Sequence, residues 1–335
     1  MTLPNALKGR LRLPVIAAPM FLVSGTELVI AQCKAGILGS FPSLNARPEA
    51  ELPAWLAFIQ AELAAHDAAH PEAPSAPFGV NLVANKTNTR FEHDAACCVA
   101  AEVPLILTSL SPPGDLVRAV HGYGGLVFHD VTTVRHAEKA LEQGVDGLVL
   151  VAAGAGGHAG AASPFALIQE IRAFYDGTLV LAGAIAAGAA LHGALNLGAD
   201  LVYMGSRFIA AKESNAPEDY RAMVVNAALK DVVYTPYFSG LPANYLAESI
   251  TAAGISLDEV RQAGADPTRY RSRVGEKPKA WRDVRGAGQG VGAVRAVQSV
   301  AEIVDELEQG WRAAEAGAQA RAATRAAWLR GGGGV

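Results

Sequence analysis

"VAAGAGGHAG", residues 151–160, decides between two α/β architectures. Gly154, Gly156 and Ala159 fit G-x-G-x-x-G/A, the pattern of a dinucleotide cradle between a strand and a helix. That pattern belongs in the first βαβ unit of a doubly wound sheet. Here the run "GLVLVAA" (147–153) leads into it, and five earlier apolar runs precede that one. The next helical pattern starts only near Ser163, too late for a tight cradle turn. Glu170 and Asp176 are loosely placed for a ribose contact, and His158 sits where a pyrophosphate has no use for an imidazole. The stretch therefore reads as the loop after the sixth strand of a longer series.

Outward from it, the full series is "PVIAAPM" (14–20), "GILGSF" (36–41), "FGVNLV" (78–83), "PLILTSL" (104–110), "GLVFHDV" (125–131), "GLVLVAA" (147–153), "TLVLAGA" (178–184) and "LVYMGSR" (201–207). Most runs are continuously apolar, as parallel strands covered on both faces must be. Helical patterns lie between them. "TVRHAEKALEQG" (133–144) ends on a glycine stop, and "SPFALIQEIRAFYDG" (163–177) opens with Ser-Pro. Eight such units predict a TIM (β/α)8 barrel. After the eighth run the pattern turns helical and polar. The expected division is a barrel over 1–209 and 281–330, with a helical insertion or cap at 210–280. "VRAVQSVAEIVDELEQGWRAAEAG" (294–317) is the expected closing helix, extended by an Ala/Arg segment to Arg330. The tail "GGGGV" is expected to be disordered.

The 335 residues are 51% hydrophobic and 18% charged, enough apolar material for one large core. A net charge of −4 gives no basic face for nucleic acid. Cys33, Cys97 and Cys98 lack C-x-x-C spacing, so neither a disulfide framework nor a zinc site is expected. No His/Asp/Glu spacing suggests any other metal. The N-terminal apolar run is short and broken by Pro14 and Pro19, unlike a signal peptide. Gly177 to Ala199 lacks Asp, Glu, Lys and Arg, but its five glycines suit a strand, turn and helix better than a membrane span. A soluble, cytoplasmic protein is expected, its oligomeric state open, a homodimer included.

In a TIM barrel the chemistry sits at the C-terminal ends of the strands. The residues there are Ala18, Pro19 and Met20 after the first, Asn81 on the third and Thr108 and Ser109 on the fourth. His129 and Asp130 follow on the fifth and His158 after the sixth. Loops after strands seven and eight often bind phosphate, and "AGAIAAG" and "MGSRF" carry Gly183, Gly205 and Ser206 in those places. No G-K-[ST] follows, so neither is a Walker loop. His158 is the candidate base, since imidazole titrates near neutral pH. His66, His70 and His93 read as surface residues, and His136 and His192 fall on helices. Ser206 has no triad partners and no G-x-S-x-G elbow, which argues against a hydrolase.

Together "PVIAAPM", "PFGVNL" (77–82), "GVDGLVLVAAGAGGHAG" (144–160), "LVLAGAIAAG" (179–188), "LGADLVYMGSRF" (197–208) and "GAGQGVGAV" (286–294) resemble the nitronate monooxygenase, or 2-nitropropane dioxygenase, family. The family is similar to FMN-dependent quinone and enoyl reductases on the same barrel. The resemblance implies FMN, no metal, and a small-molecule substrate oxidised with oxygen. It implies that Ala18, Pro19 and Met20 run beside the isoalloxazine, with Asn81, Asp130 and Gly157 lining the flavin site. Ala182, Gly183, Ala184, Gly205 and Ser206 would hold the phosphate end. Gly288, Gln289 and Gly290 would contact the flavin from the C-terminal segment, and His158 would deprotonate or contact substrate. The sequence departs from relatives at Ala18 and Pro19, at Gly154 and at Asp130, where some relatives carry a flavin-contacting lysine. An ionised Asp130 would disfavour an anionic reduced flavin. The implied activity is oxidation of nitronates or nitroalkanes to carbonyl compounds and nitrite. The alternative is NAD(P)H-dependent reduction of a quinone or enoyl substrate.

Overall fold

The computed structural model describes residues 3–85, 87–111, 113–262 and 281–330. The expected barrel is present. Its strands are β1 (Val15–Ala17), β2 (Gly39–Pro42), β3 (Phe78–Ala84), β4 (Leu105–Leu110), β5 (Leu126–Val131), β6 (Gly147–Val151), β8 (Thr178–Ala182) and β9 (Leu201–Met204). A two-residue strand, β7 (Gly157–His158), lies outside the barrel. The barrel strands pair in parallel in the order β1-β9-β8-β6-β5-β4-β3-β2. A bridge between Ile16 and Leu38 closes the ring. There the Ala17 N–H donates to Leu38 O at 2.8 Å and the Leu38 N–H to Val15 O at 3.1 Å.

The strands are apolar on both faces because both faces are buried. Val127 and Val131 on β5, with Val80 and Leu82 on β3, pack outward in the core shared with the helices. Phe128, Leu107, Val149, Val180 and Leu201 fill the lumen, joined by Leu7 from the segment before β1. Gly147 makes room for Phe128, since a Cβ there would lie 2.7 Å from its ring.

The closing helix runs Val300–Arg330. It presses on the helix Gly188–Leu197 so closely that a Cβ on Gly188 would lie 2.2 Å from Trp311 N. Glycine at 188 therefore sets the helix spacing. Among the described residues, no helix is long and apolar enough to cross a membrane.

The insertion differs from the helical expectation. Its described part carries helices Glu218–Asn226, Ala247–Ala252 and Leu257–Gln262, but also two antiparallel strands, β10 (Val232–Thr235) and β11 (Ala243–Leu246). β11 also pairs with β7, making a three-stranded sheet outside the barrel. Strand formation is driven there by pairing with the 151–160 loop, which no local pattern announces. Residues 263–280 of the insertion and the tail 331–335 lie outside the described residues.

Candidate active site

Alternation along each strand selects what faces the lumen at the C-terminal ends. On β5 Phe128 points inward, so Asp130 does too, while His129 points to the helices. The inward polar groups of this layer are Ser40 on β2, Asn81 on β3, Ser109 on β4, Asp130 on β5 and Tyr203 on β9. Asn81 donates to Leu107 O at 3.1 Å, and Ser40 to Ala17 O at 2.5 Å. Asp130 and Tyr203 differ from these. The Asp130 Oδ1 and Tyr203 hydroxyl are shielded from solvent and have no hydrogen-bond partner. Both residues nevertheless keep some exposed surface. Burial pushes the Asp130 carboxyl up to about 7. Burial first, and the nearby Asp130 charge second, hold the Tyr203 phenol well above its ordinary range.

Four chain segments close over one side of the mouth. Gly154 O accepts from the Ala184 N–H at 3.2 Å and from the Gln289 N–H at 2.9 Å. This ties the β6 loop to the β8 loop and to the turn at 288–290. Ser206 Oγ, after β9, accepts from the Gly288 N–H at 2.8 Å. Gly183 and Ala184 both take left-handed conformations, with φ of 134° and 55°. For Ala184 that conformation costs on the order of 1 kcal/mol or more, and the Gly154 hydrogen bond helps hold it. After β1, Ala18 and Met20 lie beside Gly205, where a Cβ would sit 3.5 Å from Ala18 Cβ and 3.7 Å from Met20 Sδ. Asn45 fixes this β1 loop, donating to Met20 O at 3.0 Å and accepting from the Leu22 N–H at 2.9 Å.

The structure thus brings together Ala18, Met20, Ala184, Gly205, Ser206, Gly288, Gln289 and Gly290 of the expected set. Asn81, Asp130 and Ala182 lie on the lumen-facing layer below. Pro19 is half-buried between Ala18 and Met20. Arg207, next to Ser206, turns away and meets Gln298 Oε1 at 2.7 Å and Glu306 Oε2 at 2.5 Å. An anion at this loop would therefore meet peptide N–H groups and the Ser206 hydroxyl rather than the Arg207 guanidinium.

His158 is held on the other side of its loop. Through β7 it pairs with Ala243, and its neighbour Gly157 with Asn244. Ser239 gives its hydroxyl hydrogen to Leu241 O at 2.9 Å. The same Ser239 oxygen lies 2.9 Å from His158 Nε2, so the two side chains share a hydrogen bond. Trp281 meets the imidazole edge-on at 5.5 Å and stacks on Tyr245 at 4.9 Å. Burial pushes His158 down to about 4, so the ring is neutral at pH 7. A position beside Gly157 is open, with nothing within 4 Å of a Cβ placed there.

Among the described residues no His/Cys/Asp/Glu group could hold a metal. His129 packs against Thr108, with Nδ1 and Oγ1 2.8 Å apart, and burial, then His136, pushes it down to about 4. It is an interior packing residue. Tyr203, Ser239, Asn244 and Trp281 are site-forming residues that the sequence did not single out. Tyr203 was legible from its alternation with Leu201. The other three enter only through the pairing of β11 with β7 and the return of the chain at 281.

Fold and site together define a (β/α)8 barrel with polar groups at the C-terminal ends of its strands. The chain matches the nitronate monooxygenase family over residues 6–310 and belongs to it, a family of flavin-dependent oxidoreductases. It is 30% identical over 242 residues to nitronate monooxygenase of Neurospora crassa, covering 63% of this chain and 64% of that one. It is also 26% identical over 233 residues to (3aS,4S,5R,7aS)-5-hydroxy-7a-methyl-1-oxo-octahydro-1H-indene-4-carboxyl-CoA dehydrogenase of Rhodococcus jostii, covering 70% of this chain and 62% of that relative's length. Among solved structures, nitroalkane oxidase from Streptomyces ansochromogenes has a TM-score of 0.77 at 21% identity, covering 93% of this chain and 100% of that one. FabK from Thermotoga maritima has a TM-score of 0.73 at 20% identity, covering 95% and 97%. These structural likenesses speak to the fold.

Proposed function

We propose that this chain is an FMN-dependent oxidoreductase that oxidises alkyl nitronates, or their parent nitroalkanes, with oxygen to carbonyl compounds and nitrite. The observation that carries the proposal is the convergence of the β6, β8 and β9 loops and the 288–290 turn on a lumen mouth that contains orphaned polar atoms. Those orphans fit a ring with its own hydrogen-bonding edge. The phosphate end suits the Gly183–Ala184 and Gly205–Ser206 loops, where Gly183 and Ala184 take left-handed conformations and a Cβ at Gly205 would meet only Ala18 and Met20. Gln289, which can donate and accept, suits a flavin edge. Bound there, FMN would supply the electron-accepting chemistry between substrate and oxygen. The chain's own task is to orient the anionic or neutral substrate against the ring and to manage its proton. His158 is neutral at pH 7, so its imidazole can accept a proton from a nitroalkane. At about 4 it is a weak base, and its closeness to substrate must offset the poor proton affinity.

A second proposal is a nicotinamide-dependent reductase or dehydrogenase, favoured by the similarity to the Rhodococcus dehydrogenase. Anaerobic mixing of the oxidised holoenzyme with NADH, NADPH or propionate 3-nitronate separates the two. Bleaching of the flavin by the nitronate alone is the expected result. Bleaching by a nicotinamide and not by the nitronate would replace the first proposal with the second.

A further inference from the structure

We propose that Asp130 and Tyr203 form a hydrogen-bond-donating pair at the lumen mouth that receives acceptor atoms of the bound flavin ring. The inference rests on the FMN proposal above. It starts from two buried polar atoms, on strands β5 and β9, that lack partners while their neighbours Asn81 and Ser40 are satisfied. Buried polar groups are almost always hydrogen-bonded, so two orphans in one layer mark a missing ligand group. A phenol supplies one O–H. A carboxyl supplies another only while it keeps its proton.

The surroundings keep that proton on. Tyr203 faces Asp130 from β9 and stays protonated across the neutral range. The other inward residues of the layer are Ser40 on β2, Asn81 on β3, Ser109 on β4, Val151 on β6 and Ala182 on β8, and none of them titrates. His129, the neighbour on β5, points outward to Thr108. No cation among these groups offsets a charge on Asp130, and desolvation favours the acid, which loses its proton only near pH 7. Ionised, the same group would turn two acceptor oxygens toward the acceptors of the ring and repel them. An acid therefore stands here in the role of a neutral donor, and the flavin site acquires a dependence on pH in the physiological range.

The test measures FMN affinity of the purified apoprotein by quenching of flavin fluorescence, from pH 6 to 9, for the wild type, Asp130→Asn, Asp130→Leu and Tyr203→Phe. An amide keeps the donor without the titration; leucine keeps neither. The wild type is expected to lose affinity above about pH 7, by up to about tenfold per pH unit once the acid must be reprotonated to bind. Asp130→Asn should bind with a pH profile flatter than the wild type's. Asp130→Leu should bind several-fold more weakly at pH 6, and Tyr203→Phe likewise. Infrared spectra of the ligand-free protein at pH 6 should contain a carboxylic C=O band that Asp130→Asn removes. FMN binding that is indifferent to all three substitutions, with the same pH profile throughout, would overturn this inference and leave the FMN proposal standing. No FMN binding by the wild type at any pH would overturn both.

Discussion

The turn at 288–290 is held against the β6 loop by backbone, and one methyl group tests that contact. Gly288 has φ of −79° and Gly205 φ of −107°, so alanine meets no left-handed strain at either. Their surroundings differ. A Cβ at Gly288 would lie 2.7 Å from Gly154 O and 2.8 Å from Gly156 N, both backbone atoms. A Cβ at Gly205 would meet only Ala18 Cβ at 3.5 Å and Met20 Sδ at 3.7 Å, ordinary contact distances. Gly288→Ala must therefore push the turn off the loop. That strains the Gln289 N–H to Gly154 O bond and the Gly288 N–H to Ser206 Oγ bond. Overpacking costs about 1–3 kcal/mol, and each lost hydrogen bond about 1 kcal/mol more. With both bonds lost the sum is roughly 3–5 kcal/mol for Gly288→Ala, against at most about 0.5 kcal/mol for Gly205→Ala.

Thermal unfolding and flavin content of the two purified variants form the assay. Gly288→Ala should lower Tm by several degrees and leave the protein depleted of FMN. Gly205→Ala should match the wild type in both. Equal behaviour of the two variants would refute the argument that the turn is sterically keyed to Gly154 and Gly156.

Because Gly205 has room for a methyl group, Gly205→Asp tests charge rather than space: it should weaken FMN binding by roughly 2–4 kcal/mol while the protein stays folded. Full FMN occupancy in that variant would move the phosphate elsewhere. His158→Asn should slow oxidation of neutral nitroalkanes on the order of 10²-fold and oxidation of preformed nitronates much less, with FMN retained. Steady-state rates on both substrates decide it, and equal losses would make His158 a positioning group. Stability should fall on the acid side. His129 and His158 are both pushed from 6.5 down to about 4. Their contribution is complete above pH 6.5 and is lost as pH falls through 4, up to about 3 kcal/mol each. Denaturant unfolding between pH 7 and 4 should therefore show a shallower slope for His129→Gln than for the wild type, whatever its absolute stability.

The barrel was legible because every strand is buried on both sides and writes a continuous apolar run. The same property hid which residues face the lumen. "LVFHDV" offers both His129 and Asp130 at a strand end, and only the alternation with Phe128 sends the aspartate inward and the histidine out. The sequence marked the glycine loops as a candidate phosphate cradle, but their mutual contacts were not legible. Gly154, Ala184 and Gln289 are far apart in sequence and meet through backbone hydrogen bonds that side-chain chemistry does not encode. β10 and β11 escaped because "VVYT" and "ANYL" are short and stable only as partners of each other and of β7.

The 151–160 loop carries more than a glycine pattern because its two ends answer to different parts of the chain. At Gly154 the carbonyl is committed to Ala184 and Gln289, on the barrel side. At Ala155 the carbonyl accepts from Asn244 Nδ2 at 2.7 Å, and at Ala159 the N–H donates to Pro242 O at 3.2 Å, on the insertion side. Tyr234 adds a bond to Ala159 O at 3.0 Å. Gly156 and Gly157 lie between these anchors, the latter with φ of 76°. A loop pinned at both ends and glycine-rich between them can pass between two packed units without leaving backbone groups unpaired. His158 is thereby aimed by the insertion rather than by the barrel. Its Nε2 is held by Ser239 and its ring is met by Trp281, both outside the frame of eight strands. Changes in the insertion can thus alter the surroundings of His158 while the strand ends of the barrel keep their backbone geometry.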